Sequence, residues 1–155
     1  MPIKRVHKKN MRGDTIVEVM MSMAVIGMVI GVSYSIANRS VRAGRMAQEQ
    51  TEALKLTESQ IELVKAAAEN PALTSALYVD GNTFCITVDP ATSVLAVVPN
   101  TNAGCLNRGT AGRYAVKVRY TKFTGATITD NFLATTSWES LTGPTDIKIA
   151  YRIHP

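Results

Sequence analysis

Histidine and cysteine are scarce in this 155-residue chain, which has two of each. His7 and His154 stand near opposite termini, and Cys85 and Cys105 are too far apart for a Cys-x-x-Cys redox pair and match no zinc-ligand spacing. Aromatic residues make up only 6% of the chain, and its single tryptophan, Trp138, reads as a core or sheet-edge anchor rather than a nucleic-acid stacking platform. The head acids Asp80, Asp89, Asp130, Glu139 and Asp146 share no spacing, and neither a phosphate-binding glycine loop nor a nucleophile elbow is present. The expectation is a protein that is not an enzyme and needs no metal or cofactor.

Three further gaps organise the N-terminal part. Residues 1–13 contain no acid, residues 19–38 contain no charge, and no proline occurs between Pro2 and Pro71. The acid-free stretch holds Lys4, Arg5, Lys8, Lys9 and Arg12, which account for the whole net charge: 17 minus 12 gives +5, and without these five the remainder is 12 minus 12, or zero. The basic pI therefore belongs to the leader and gives no support for nucleic-acid binding. As a helix rising about 1.5 Å per residue, residues 19–38 reach roughly the 30 Å of a bilayer core, longer than the 7–15 apolar residues of an ordinary secretory signal. The leader cations favour a cytoplasmic N-terminus, although Arg39, Arg42 and Arg45 on the far side oppose this. Gly27 and Gly31 form a Gly-x-x-x-Gly pair, open to a reading as chance or as a close helix-packing face.

Glu18, at the start of the apolar run, is costly in a membrane. One reading is local: Thr15-Ile16-Val17-Glu18 has the form of a capping box, and an acid in the first turn suits the helix dipole. That leaves the hydrocarbon-length run directly after it unexplained. Taken together, the basic leader, Gly13, the acid five residues beyond it and the uninterrupted apolar segment resemble the N-terminal signature of type IV pilins and pseudopilins. The resemblance is strong over residues 12–69 and extends to the remainder only in layout. It implies cleavage between Gly13 and Asp14 by a membrane prepilin peptidase, methylation of the new N-terminus, and pairing of Glu18 with the terminal amine of a neighbouring subunit. Independently, a buried carboxylate is tolerable when a cation is presented to it. Asp14 departs from the family, which usually carries phenylalanine or another apolar residue there.

From residue 39 to 69 the pattern is that of an amphipathic helix, with Ala47, Leu54, Ile61 and Ala68 at seven-residue spacing and Leu56 and Val64 near the same face. Asn70-Pro71 ends it. The domain plan is thus a leader at 1–13, a transmembrane or filament-core helix at 14–38, an amphipathic helix at 39–70 and an extracytoplasmic β-rich head at 71–155. One nearly continuous helix is expected over residues 15–69.

In the head, residues 77–79 and 83–88 read as a hairpin turning at Asp80-Gly81. A strand is expected at 94–98, a loop at 100–112, and better strands at 114–123, 127–138 and 147–153, joined by short connections as in an antiparallel meander. Tyr114, Val116, Val118 and Tyr120, with Ile147, Ile149, Tyr151 and Ile153, mark one core face. Laid against the amphipathic helix, this gives an α+β fold, a layout that the family shares.

Outside the cytoplasm Cys85 and Cys105 are expected as a disulfide, although two free buried thiols fit the same spacing. Lys117, Arg119, Lys148 and Arg152 share the other sheet face, with the 127–138 strand between them and Asp130 in partial compensation. That face reads either as solvated surface or as an anionic-ligand surface for DNA or a surface polymer.

The functional expectation is a structural subunit, pilin or minor pilin, of a type IV pilus-like filament serving adhesion, motility or DNA uptake. Its partners would be other pilins, the prepilin peptidase, the assembly machinery and, before assembly, membrane lipid. It would be a single-pass membrane protein with a cytoplasmic N-terminus that moves to an extracellular filament. Alternatives are a pseudopilin of a type II secretion system, or a binding domain secreted by a cut after Ala37 at Ser35-Ile36-Ala37, or left anchored.

Overall fold

The computed structural model describes residues 14–124 and 128–153. They divide between two compact units, Met1–Gly44 and Arg45–Pro155. One helix, α1 (Asp14–Ala68), supplies residues to both, as the long proline-free stretch leads one to expect.

In the first unit every side chain from Ile16 to Gly44 is exposed, including Met28 at 71% and Ile30 at 64%. Two of its hydroxyls bond within the helix: those of Ser22 and Ser33 donate to the carbonyls of Glu18 and Val29, each at 2.8 Å. This segment is long and apolar enough to cross a membrane.

The second unit is α+β. The C-terminal part of α1 packs on a five-stranded antiparallel sheet of β1 (Thr83–Val88), β2 (Leu95–Pro99), β3 (Tyr114–Thr124), β4 (Ile128–Ser140) and β5 (Gly143–Ile153), in the order β2-β1-β3-β4-β5. β3, β4 and β5 form the expected meander, with β4 between its neighbours over eleven residue pairs on each side. The connection between β3 and β4 lies outside the described residues. β4 and β5 turn tightly at Leu141-Thr142, because Ser140 already faces Gly143. β5 therefore starts four residues earlier than the alternation suggests. Pro144 is tolerated because β5 is an edge strand, where a missing N–H costs no ladder bond.

The segment 71–79 differs from expectation. Residues 77–79 pair with no strand; instead α2 (Pro71–Leu77) forms, with Asn70 as its N-cap accepting from the Ala72 amide at 3.1 Å and Pro71 in the first turn. Proline stops one helix and suits the start of the next, where its missing N–H would be unsatisfied in any case. The turn at Asp80-Gly81 then feeds β1, whose partners are β2 and β3. The 100–112 segment contains a short helix, α3 (Ala103–Leu106), and a 3-10 turn at Thr110–Gly112.

The buried helix face agrees with expectation at Ile61 and Val64 and differs at other positions. Ala53, Thr57, Gln60, Ile61, Val64 and Ala67 are buried, whereas Ala47 is exposed and Leu54 is 40% exposed. Two apolar clusters result. The larger joins Ile61, Val64 and Ala67 to Leu77, Phe84, Ile86, Val118, Tyr120 and Phe132; the smaller joins Ala53 to Tyr114 and Trp138. Between them along α1 sits a polar pair. The Thr57 hydroxyl, 2.7 Å from the Ala53 carbonyl, bonds the Thr136 hydroxyl, also at 2.7 Å. Gln60 donates to the Ile86 carbonyl and accepts from the Ile86 amide, both at 3.1 Å. The ladder between β1 and β3 has only the pairs Thr83↔Arg119 and Phe84↔Val118. Beyond it, a glutamine amide takes the place of a strand, which is why a polar residue stands in the core.

Candidate functional site

In the apolar segment, Gly13 lies outside the described residues and Asp14 is the first residue of α1. Glu18 lies one turn further on and is exposed. At Gly27 and Gly31 a side-chain carbon would meet no atom within 4 Å. Both are thus open points on a helix face where another helix could approach closely.

Cys85 and Cys105 form a disulfide, with Cα atoms 5.9 Å apart. Its position follows from strand parity. Phe84 and Ile86 point to the core, so Cys85 points to the opposite face and fastens α3 over it. Arg108 adds a second fastening, donating to the Ile86 carbonyl at 3.1 Å and to the Gly104 carbonyl.

On that opposite face the four cations separate. Lys117, Arg119 and Lys148 line a cavity of about 300 Å3 together with Thr83, Asn100 and Thr135. Arg152 does not line it; it stands opposite Asn131, in a different cross-strand row. Asp130 gives no compensation here, since strand parity puts it on the core face, where it accepts from the Tyr120 hydroxyl at 2.6 Å. The carboxylate that does pair is Asp146, at 2.7 Å from Lys148, an exposed and hence weak contact.

A second polar cluster escaped the sequence patterns. Glu49, whose side chain is 11% exposed, accepts from Arg113 at 3.1 Å and from the Trp138 indole N–H at 3.3 Å. Burial pushes its carboxyl up, but hydrogen bonds from Arg113, Ser140 and Trp138 outweigh this and hold it below the usual range. Glu52 accepts from the Thr110 amide, and that bond lowers its carboxyl likewise. Gly109 is required here: its φ is +66°, and a side-chain carbon would come within 2.6 Å of Tyr114 and 2.7 Å of Glu52. These contacts latch α1 to the segment before β3. The only sequence hint was an acid pair three residues apart on a helix that is otherwise half apolar.

Among the described residues no three of His, Cys, Asp and Glu gather as a metal site would need. Comparison of the chain with family models, curated proteins and solved structures gives no match.

Proposed function

We infer that this chain is a structural subunit of a type IV pilus-like filament, cut after Gly13 and assembled through the apolar part of α1. The observation that carries this reading is a helical surface of bilayer length, apolar on all sides and wholly exposed, with Glu18 at its start. Such a surface is unfavourable in water by about 25 cal/mol per Å2 of apolar area. It needs lipid first or neighbouring helices afterwards, and a filament core supplies the second. Glu18 supports the filament over a plain anchor, because a carboxylate at the edge of hydrocarbon is useful when a partner brings the matching cation. The open faces at Gly27 and Gly31 suit close helix contact. The head is then the exposed part of the subunit, and its disulfide suits an oxidising exterior.

Mass spectrometry of the N-terminal peptide from protein isolated from its native cell tests this. A start at Asp14, with one added methyl, is expected. A start at Asn38 would replace the filament with a secreted domain, and an intact leader would replace it with an anchored one. Glu18→Gln should leave the protein in the membrane and abolish its recovery in sheared filaments.

A further inference from the structure

We propose that the sheet face opposite α1 carries a binding site for a phosphate-type oxyanion, held between Lys117, Arg119 and Lys148. The site lies within the Arg45–Pro155 unit and does not rest on the filament reading.

The ladders build it from two adjacent cross-strand rows. Lys117, Thr135 and Lys148 face one another across β3, β4 and β5; Thr83, Arg119 and Leu133 do so across β1, β3 and β4. Asn100, one residue beyond the Phe84↔Pro99 pair, closes the rim. Lys117 and Lys148 start two strand spacings apart, roughly 10 Å. Their flexible stems can bring both ammonium groups onto one ion from opposite sides, while Arg119 offers a planar fork from the neighbouring row. Thr135 is only 5% exposed although it belongs to the face away from α1, and it forms part of the cavity wall. A hydroxyl donor is thus built into the wall beneath the cations.

Charge and shape select the ligand. Among the described residues Lys117 and Arg119 have no ion pair, and Asp146 offsets Lys148 alone. Three cations against one carboxylate leave two positive charges, which balance the two negative charges of a phosphate dianion. A planar carboxylate offers two oxygens, whereas a tetrahedral oxyanion can accept from three cations in different directions and from a hydroxyl as well. Among the described residues no aromatic ring lines the cavity, and Trp138 is buried in the core, so none of them stacks on a base there. A cavity of about 300 Å3 takes the phosphate with a short ester substituent. The Cys85–Cys105 bond fixes the loop that carries Asn100.

The test uses the full chain in dodecyl maltoside, a detergent without phosphate, titrated with inorganic phosphate, with glycerol 3-phosphate and with chloride at matched ionic strength. Saturable binding of phosphate, with Kd on the order of 1 mM, is expected where chloride gives none. Lys117→Gln and Arg119→Gln should each weaken it roughly tenfold. Arg152→Gln, on the same face but outside the cavity, should change it less than twofold. Lys148→Gln serves if either of the first two variants fails to fold. Tighter binding of glycerol 3-phosphate identifies the ligand as an esterified phosphate, and tighter binding of inorganic phosphate identifies it as the free ion. Equal responses to phosphate and chloride, or equal losses for Arg152→Gln and Arg119→Gln, would replace the site with a diffuse positive field and overturn the proposal.

Discussion

The two stretches of α1 invert the usual relation between hydropathy and burial. Residues 16–44 are the most apolar in the chain and none is covered, whereas residues 46–68 are rich in Glu, Gln and Lys and supply the buried side of the head. The difference lies in how the apolar groups are arranged. An all-round apolar surface cannot be buried by a single sheet and calls for an apolar solvent or several like neighbours. A one-sided face needs only one partner, which this chain carries itself. The first stretch thus finds no cover among the described residues, and the second finds it in the chain's own head.

That contrast can be broken by substitution, starting where the effect is largest. Phe132→Ala empties the centre of the larger cluster and should destabilise the head by about 3–5 kcal/mol, read by denaturant unfolding in micelles. Gln60→Ala leaves the Ile86 amide buried without its acceptor and should cost about 1–3 kcal/mol by the same measurement. A smaller effect comes from acid. Glu49 and Glu52 are held below the ordinary carboxyl value of 4.5 in the folded head, so the stability they contribute is present above that value. It is lost as pH falls through their folded values. Thermal unfolding followed from pH 6 to pH 3 should decline, and the decline should be shallower in Glu49→Gln. At the end of the series, Met28→Ala should leave the head's unfolding midpoint unchanged, although Met28 is a large apolar side chain. A midpoint shift as large as that of Phe132→Ala would end the distinction between the two stretches.

Alternation and helix periodicity carried most of the fold. The inward row Tyr114, Val116, Val118 and Tyr120 is buried as its pattern requires, and β2, β3 and β4 fall close to their expected places. α2 was missed because Asn70-Pro71 is both a stop and a start, and seven residues give too little periodicity to tell the two apart. The helix stripe was shifted because seven-residue spacing counts only apolar residues. Thr57 and Gln60 belong to the buried face through hydrogen bonds to residues 79 and 26 positions away, which no local pattern records. The cations were legible as a face from strand parity, but the exclusion of Arg152 from the cavity depended on the register of β5 against β4. The Glu49 and Glu52 latch depended on where residues 108–113 travel, and glycine and turn residues leave that open.

Gln60 has a mechanical consequence as well. Apolar packing alone would let a helix slide along a sheet at small cost, since one turn of travel, about 5.4 Å, exchanges one aliphatic side chain for another. Leu56 and Val64 are the residues such a slip would bring opposite Ile86, and neither can answer an amide and a carbonyl together. The glutamine therefore acts as an indexing pin that allows one axial setting of the helix. Sliding the helix by one turn along the sheet would break both of these hydrogen bonds together and leave the Ile86 amide and carbonyl without that partner.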